Sequence, residues 1–314
     1  MIEVYARSEK MREAVSLAER VATTETNVLI TGESGSGKDL IASLIHAKSA
    51  RAAQPFVKID CATLPGELLE AELFGYERGA FTGASESKPG RFEAAQSGTA
   101  VLDEIAHLSV DAQAKLLRVI DSHEFERLGG HKTIKLDARL IALTNVDLTD
   151  AVQRGGFRED LFYRLNVLRI QVPPLRERKE DLPELVDHFL KLYAAKHGRP
   201  LQKVSQPALR LLQAHEFPGN ARELANIIER AVIVTHGPQL EEEDLPASVK
   251  DAVRARRDRE APLTLAQLEA AYITEMLRAT KGNKTECARL LGISRKNLYE
   301  KIARYELGED GGRS

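Results

Sequence analysis

Five short apolar runs punctuate the first half of the chain: NVLIT (27 to 31), FVKID (56 to 60), TAVLD (99 to 103), RLIALT (139 to 144) and VLRIQV (167 to 172). Each is of strand length and has the near-continuous apolar character of a strand buried on both faces. Between them the spacing turns helical, as at Met11, Ala14, Val15, Ala18, Val21 and Ala22, and again in DAQAKLLRVIDS (111 to 122). Strands alternating with helices predict an α/β fold, a parallel sheet covered by helices. Beyond Pro173 and Pro174 the strand-like runs stop, and EDLPELVDHFLKLYAAKHG, SQPALRLLQAHE and NARELANIIERAVIV read as helices of a smaller all-α unit. The stretch from 241 to 262 is highly charged and suits a linker or a solvated helix. Three further helices are predicted from about Leu263. The expected division is therefore 1–172 (α/β), 173–245 (all-α), 246–262 (charged linker), 263–308 (all-α) and 309–314 (tail).

At 314 residues, 43% hydrophobic and 29% charged, the chain has the composition of an ordinary globular protein, long enough for two or three units. Its two cysteines, Cys61 and Cys287, are far apart and support neither a disulfide framework nor a zinc site. No apolar run approaches the roughly 18 residues of a membrane span, and the N-terminus lacks a secretory apolar core. A cytoplasmic protein with no membrane association is expected. The net charge of −2 is uninformative as an average but unevenly spread. Between Lys281 and Arg304 seven basic residues face two acidic ones, a local balance of +5.

Chemistry first appears at GESGSGKD, Gly32, Glu33, Ser34, Gly35, Ser36, Gly37, Lys38 and Asp39. It follows a predicted strand and opens a helix, the context a phosphate-binding loop needs. Glycines let the backbone approach an anion at the positive end of a helix, and Lys38 would reach the β- and γ-phosphates of ATP. Asp39 stands where the general pattern has Ser or Thr as a Mg2+ ligand, and its carboxylate could hold the ion directly or through water. Downstream, SGTAVLDEI ends in two carboxylates: Asp103 would hold Mg2+ and Glu104 would polarise the attacking water.

These motifs, with GAFTGA (79 to 84), FREDLFYRLNVLRIQVPPLRER and FPGNARELANIIERAV, resemble the AAA+ domain of bacterial enhancer-binding proteins, the ATPase activators of sigma-54 RNA polymerase, from about residue 4 to 245. The resemblance implies that the 173–245 unit is an AAA+ lid. It further implies that the loop Gly79, Ala80, Phe81, Thr82, Gly83 and Ala84 touches sigma-54, Phe81 and Thr82 being the contact residues and Gly79, Gly83 and Gly90 supplying mobility. Asn145 resembles the γ-phosphate sensor and Arg222 the lid sensor. Arg158 and Arg164 resemble arginine fingers acting on a neighbour's site in a homo-oligomeric ring, in this family usually a hexamer, although either arginine in isolation is most often a surface ion pair.

Two positions depart from the family pattern. Asp60 takes the place of an asparagine that restrains the catalytic glutamate, so that Glu104 is expected to be held differently. Phe217 replaces a common tryptophan and is expected to affect packing rather than chemistry.

The basic C-terminal segment is similar to the Fis-type helix-turn-helix, with Ser294 as a helix cap and Lys284, Ser294, Arg295, Lys296, Asn297, Tyr299 and Lys301 as candidate contacts to double-stranded enhancer DNA. No receiver or sensing domain precedes residue 4, which implies either control by a regulator acting in trans or a truncated sequence. A repressor that keeps the ATPase fold only for assembly, and an AAA+ helicase or unfoldase, are the competing classes. The complete GAFTGA, Glu104 and arginine set argues against the first, and the helix-turn-helix against the second.

Overall fold

The computed structural model describes residues 4–201, 203–260, 264–305 and 307, so the expected 309–314 tail lies outside the described residues. The chain forms two compact units, Met1–Asp251 and Ala252–Ser314.

The first unit is built on five parallel strands: β1 (Val28–Thr31), β2 (Phe56–Asp60), β3 (Thr99–Asp103), β4 (Arg139–Thr144) and β5 (Leu168–Gln171), in the order β2-β3-β4-β1-β5. Burial follows position in the sheet. β1 and β4 are buried throughout and β3 up to its last residue, whereas the edge strands β2 and β5 are each buried at a single position.

Side-chain alternation sorts the strands between two cores. Val28, Ile30, Val101, Ile141, Leu143 and Ile170 pack with α1 (Glu9–Ala22) and α2 (Lys38–Ala47). Leu29, Ile59, Leu102, Leu140 and Ala142 face the opposite way, toward Leu73 and Phe74 of α3 (Gly66–Phe74), Phe92 of α4 (Arg91–Ala95), Leu116 and Val119 of α5 (Val110–Ser122), and Leu161 of α7 (Glu159–Leu165). α6 (Leu148–Gln153) links β4 to α7.

Because all five strands run the same way, their C-terminal ends lie along one edge: Thr31 is level with Thr144 and Gln171, and Asp103 with Asp60. The loops that leave this edge carry the motifs, as expected of an open α/β sheet. Two small hairpins sit outside the sheet. Gly75–Tyr76 pairs with Lys88–Pro89, and Glu124–Glu126 with Thr133–Lys135.

The lid packs α8 (Leu182–Lys196), α9 (Gln206–Ala214) and α10 (Asn220–Val234) around Leu182, Leu190, Leu212, Leu224 and Ile228. It is not wholly helical, since Lys203–Val204 pairs in parallel with Gln239–Leu240. Phe217 is fully buried in this core, edge-on to His215 at 4.7 Å, and its role is packing as expected. The charged stretch after residue 246 carries the helix α11 (Ala247–Glu260).

In the second unit α12 (Leu265–Ala279), α13 (Lys284–Leu290) and α14 (Arg295–Arg304) enclose Ile273, Cys287, Ala288 and Leu298. Among the described residues no helix is long and apolar enough to cross a membrane.

Candidate nucleotide, loop and DNA sites

The phosphate loop leaves β1 through glycines that the backbone requires. Gly35 (φ +72°) and Gly37 (φ +106°) lie in the left-handed region, and a Cβ on Gly35 would stand 2.5 Å from the Gly219 carbonyl. Gly37 is the N-cap of α2, which places the loop at the positive end of that helix. Lys38 is buried: its Nζ donates to the carbonyls of Gly32 (2.9 Å) and Glu33 (3.3 Å) and lies 3.7 Å from Glu104 Oε1.

Glu104 occupies a left-handed conformation (φ +52°) just beyond β3, a strained placement for a residue with a Cβ. Its other carboxylate oxygen accepts the Asn145 main-chain N–H at 3.1 Å. The acid is thus held between the phosphate-loop lysine and the end of β4. Asn145 reaches Glu104 through its backbone, a coupling that side-chain reasoning does not reveal. Asp60 takes no part in it: its carboxylate accepts the Ala62 N–H at 2.9 Å and closes its own turn.

Sequence reasoning missed Lys58. Its Nζ lies 2.7 Å from Asp103 Oδ2 and 2.6 Å from Asp39 Oδ1, bridging the two carboxylates assigned to Mg2+. Burial works against its charge, but the hydrogen bonds to Asp103 and Asp39 outweigh it and raise its pKa. The available signal was positional, a lysine two residues before the end of a strand adjacent to β3. Convergence of Asp39 and Asp103 on one ammonium also shows that the two acids can share a cation. Cys61, buried beside this group, has its thiol pushed up to about 12 by desolvation first and then by Asp60, Asp103 and Glu104.

The lid closes on the back of the phosphate loop. Arg222 donates to Ser34 Oγ at 2.8 Å. Glu33 turns to the lid side, pairing with both terminal nitrogens of Arg176 (2.6 and 2.8 Å) and accepting from Asn220 (3.1 Å), contacts that lower its pKa. Arg158 and Arg164 are not brought to this site within their own chain. Arg158 forms a two-pronged pair with Asp160 (3.0 and 2.7 Å), and Arg164 lies 2.9 Å from Asp121. Both are substantially exposed.

The GAFTGA segment folds back on itself: Gly79 N–H donates to the Ala84 carbonyl (2.8 Å) and Ala84 N–H to that of Phe81 (3.0 Å). Gly79 (φ +84°) and Gly83 (φ +107°) adopt left-handed turns with open space around them. Thr82 is exposed, and Phe81 is 39% exposed with its ring edge-on to Tyr76 at 5.0 Å. Gly90 differs from the mobile role expected of it. Its φ is ordinary, and an added Cβ would meet the Gly75 nitrogen and the Leu73 carbonyl at 2.4 Å, so it permits close packing at the loop's base. That base is braced by Arg127, which binds Glu77 (3.0 Å) and Glu93 (2.7 Å).

In the second unit Ser294 caps α14 by accepting the Asn297 N–H, as expected. Arg295, Lys296, Asn297 and Tyr299 are exposed, and the Lys284 ammonium stands 5.2 Å from the Tyr299 ring centroid. Lys301 is separated from this group in role: it binds Glu269 of α12 at 2.6 Å, and Tyr305 donates to the same carboxylate.

A phosphate loop after β1, an acidic pair at the end of β3 with β4 between them, a lid and a separate helix-turn-helix define an AAA+ ATPase joined to a DNA-binding module. Family models agree segment by segment: the sigma-54 interaction domain over residues 4–171, the AAA+ ATPase lid domain over 176–262 and the Fis-family bacterial regulatory protein over 264–305. The chain belongs to the family of sigma-54-dependent transcriptional activators. It is 46% identical over 310 residues to the regulatory protein AtoC of Escherichia coli, covering 96% of this chain and 67% of that one. It is 44% identical over 301 residues to the transcriptional regulatory protein ZraR of Escherichia coli, covering 96% and 68%. The crystal structure of NtrX from Brucella abortus in complex with ATP superposes with a TM-score of 0.75 at 36% identity, covering 97% of this chain and 70% of that one.

Proposed function

We propose that this protein binds upstream enhancer DNA, assembles into a homo-oligomeric ring and uses ATP hydrolysis to remodel the sigma-54 RNA polymerase closed complex into an open one. The observation that carries the reading is the pairing of a nucleotide site with a loop whose Phe81 and Thr82 are exposed. Lys38, Asp103, Glu104 and Asn145 converge at one sheet edge, while Phe81 and Thr82 stand exposed on a separately braced loop. Brucella NtrX, solved with ATP and with ADP, supports nucleotide binding at the corresponding fold. The Ser36 hydroxyl, buried in the phosphate loop without a hydrogen-bond partner, suits an additional oxygen ligand there.

Asp39 and Asp103 would hold Mg2+, which neutralises phosphate charge when bound. Mg2+ takes several of its ligands from phosphate and water, so two carboxylates suffice for the protein's share. Glu104 would orient and deprotonate water, with its second oxygen fixed by the Asn145 amide. Arg158 and Arg164, on exposed surface, are available to a neighbouring subunit's site. Lys284, Ser294, Arg295, Lys296, Asn297 and Tyr299 would meet DNA. The working division is an α/β subdomain (1–172), a lid (173–245) that continues into the segment 246–262, where Val249 packs in the lid core, and the helix-turn-helix (263–308), in a cytoplasmic protein.

Permanganate footprinting of a sigma-54 promoter tests this directly. ATP-dependent melting is expected with the parental protein and is lost in Glu104→Gln. Hydrolysis without melting would overturn the activator reading in favour of a repressor.

A further inference from the structure

The phosphate loop is gripped from behind at three consecutive carbonyls. Asn220 Nδ2 donates to the Ser34 carbonyl at 3.0 Å, Ala221 N–H to that of Gly35 at 3.1 Å, and the Arg178 guanidinium to that of Ser36. In a trans peptide C=O and N–H point opposite ways, so fixing the Ser34 and Ser36 carbonyls turns the Gly35 and Gly37 amides to the other side of the loop. Those amides belong to the phosphate cradle.

Asn220 is the centre of this grip. It is fully buried at the start of α10 in the left-handed region (φ +54°), which asparagine tolerates better than most side chains. Its carboxamide bonds in three directions: it donates to Ser34 O and to Glu33 Oε2 (3.1 Å) and accepts the Leu175 N–H (2.7 Å). One planar group thus joins the phosphate loop, the segment leading into the lid, and the lid helix. Aspartate supplies no N–H donors, and serine cannot reach three segments. Arg176 holds the other side of Glu33, so the loop carboxylate is committed to the lid.

Taking nucleotide binding by this family as given, we infer that Asn220 is a positioning residue that locks phosphate-loop geometry to lid position, so that displacement of the lid opens the cradle and releases nucleotide. Contact with the nucleotide is left to the loop amides, Lys38 and Arg222. Asn220 acts through the loop.

Stopped-flow release of a fluorescent ADP analogue from the full chain tests the inference in three variants. Asn220→Gly keeps the backbone conformation accessible and deletes the side chain with its carboxamide; release is expected to accelerate about tenfold, equivalent to about 1.4 kcal/mol. Arg176→Ala, at a partly exposed position that does not endanger folding, is expected to accelerate it about threefold. Leu224→Ala weakens the buried lid core without touching the loop and is expected to lower the melting temperature while leaving release within about twofold of the parental rate. The inference is overturned if Asn220→Gly and Arg176→Ala both release at the parental rate, or if release follows melting temperature across the three variants instead of following loss of the grip.

Discussion

The phosphate loop and the GAFTGA loop are both rich in glycine, yet they use it in opposite ways. In the phosphate loop the Gly35 backbone is pressed against Gly219 and the loop is held by five lid-side groups: the side chains of Arg176, Arg178, Asn220 and Arg222 and the Ala221 main-chain N–H. In the GAFTGA loop, Gly79 and Gly83 face open space and the tip is closed by its own backbone hydrogen bonds. One is a template whose shape is fixed from outside. The other is a partly exposed surface braced mainly at its base, by Gly90, Arg127 and the short hairpin, with Phe81 resting on Tyr76 and Ala84 buried. The second is joined to the rest of its unit chiefly through that base, whereas the first is coupled directly to the lid.

The largest effects should come from breaking the template's chemistry. Glu104→Gln is expected to lower ATP turnover about 10²- to 10⁴-fold, the usual worth of a positioned base, while nucleotide binding survives. Steady-state phosphate release and equilibrium binding measure the two separately.

Next comes the base of the presented loop. Gly90→Ala forces a Cβ into backbone at 2.4 Å and is expected to abolish sigma-54 engagement and lower stability by about 2–4 kcal/mol, as a severe steric clash does. Gly79→Ala meets no neighbour and bears only the left-handed strain of about 1–2 kcal/mol. Equilibrium denaturation of the pair gives the ranking. A reversed order would show the tip, and not its base, to be the constrained part.

A smaller change is expected at Lys58. Lys58→Met removes the cation that Asp39 and Asp103 share, so the Mg2+ concentration for half-maximal ATP-analogue binding should fall about three- to tenfold, while metal-free nucleotide binds no better. An increased Mg2+ requirement in a calorimetric titration would contradict that placement.

The least dramatic effect concerns pH. Burial is the first cause lowering the pKa values of His46 and His215. Their neutral forms therefore favour the folded state; this contribution is complete above the unfolded value near 6.5 and is lost as pH falls below it. Melting temperature should drop between about pH 7 and 5, and less so in His46→Gln.

The three central strands were readable because a strand buried on both faces leaves an uninterrupted apolar run. The edge strands β2 and β5 also lie where strand-like runs occur, but each is buried at a single position and carries charged residues, so full burial did not hold for them. The two-residue strands at Gly75–Tyr76 and Lys88–Pro89 left no periodic signal, being held by contacts remote in sequence such as the Tyr76 to Leu128 bridge. The phosphate loop, Asp103 and Glu104 were legible as local motifs. Lys58, Asn220 and Arg176 were not: each acts across the fold, Arg176 on Glu33 143 positions away, and a lone lysine, asparagine or arginine announces no partner. Gly90 was misread for a related reason. A glycine in the sequence does not reveal whether it confers freedom or close contact, and only its neighbours decide.

The most direct test of the division between template and presented surface is a native-gel titration of sigma-54 with this protein loaded with ADP and a metal fluoride, run beside its Thr82→Ala variant, with ATP turnover measured on the same preparations. A retarded sigma-54 complex with the parental protein, lost in Thr82→Ala while turnover stays within about twofold, is the predicted result. If Thr82→Ala binds sigma-54 as well as the parent, or if no complex forms although turnover is normal, the loop is not the contact surface and the account is wrong.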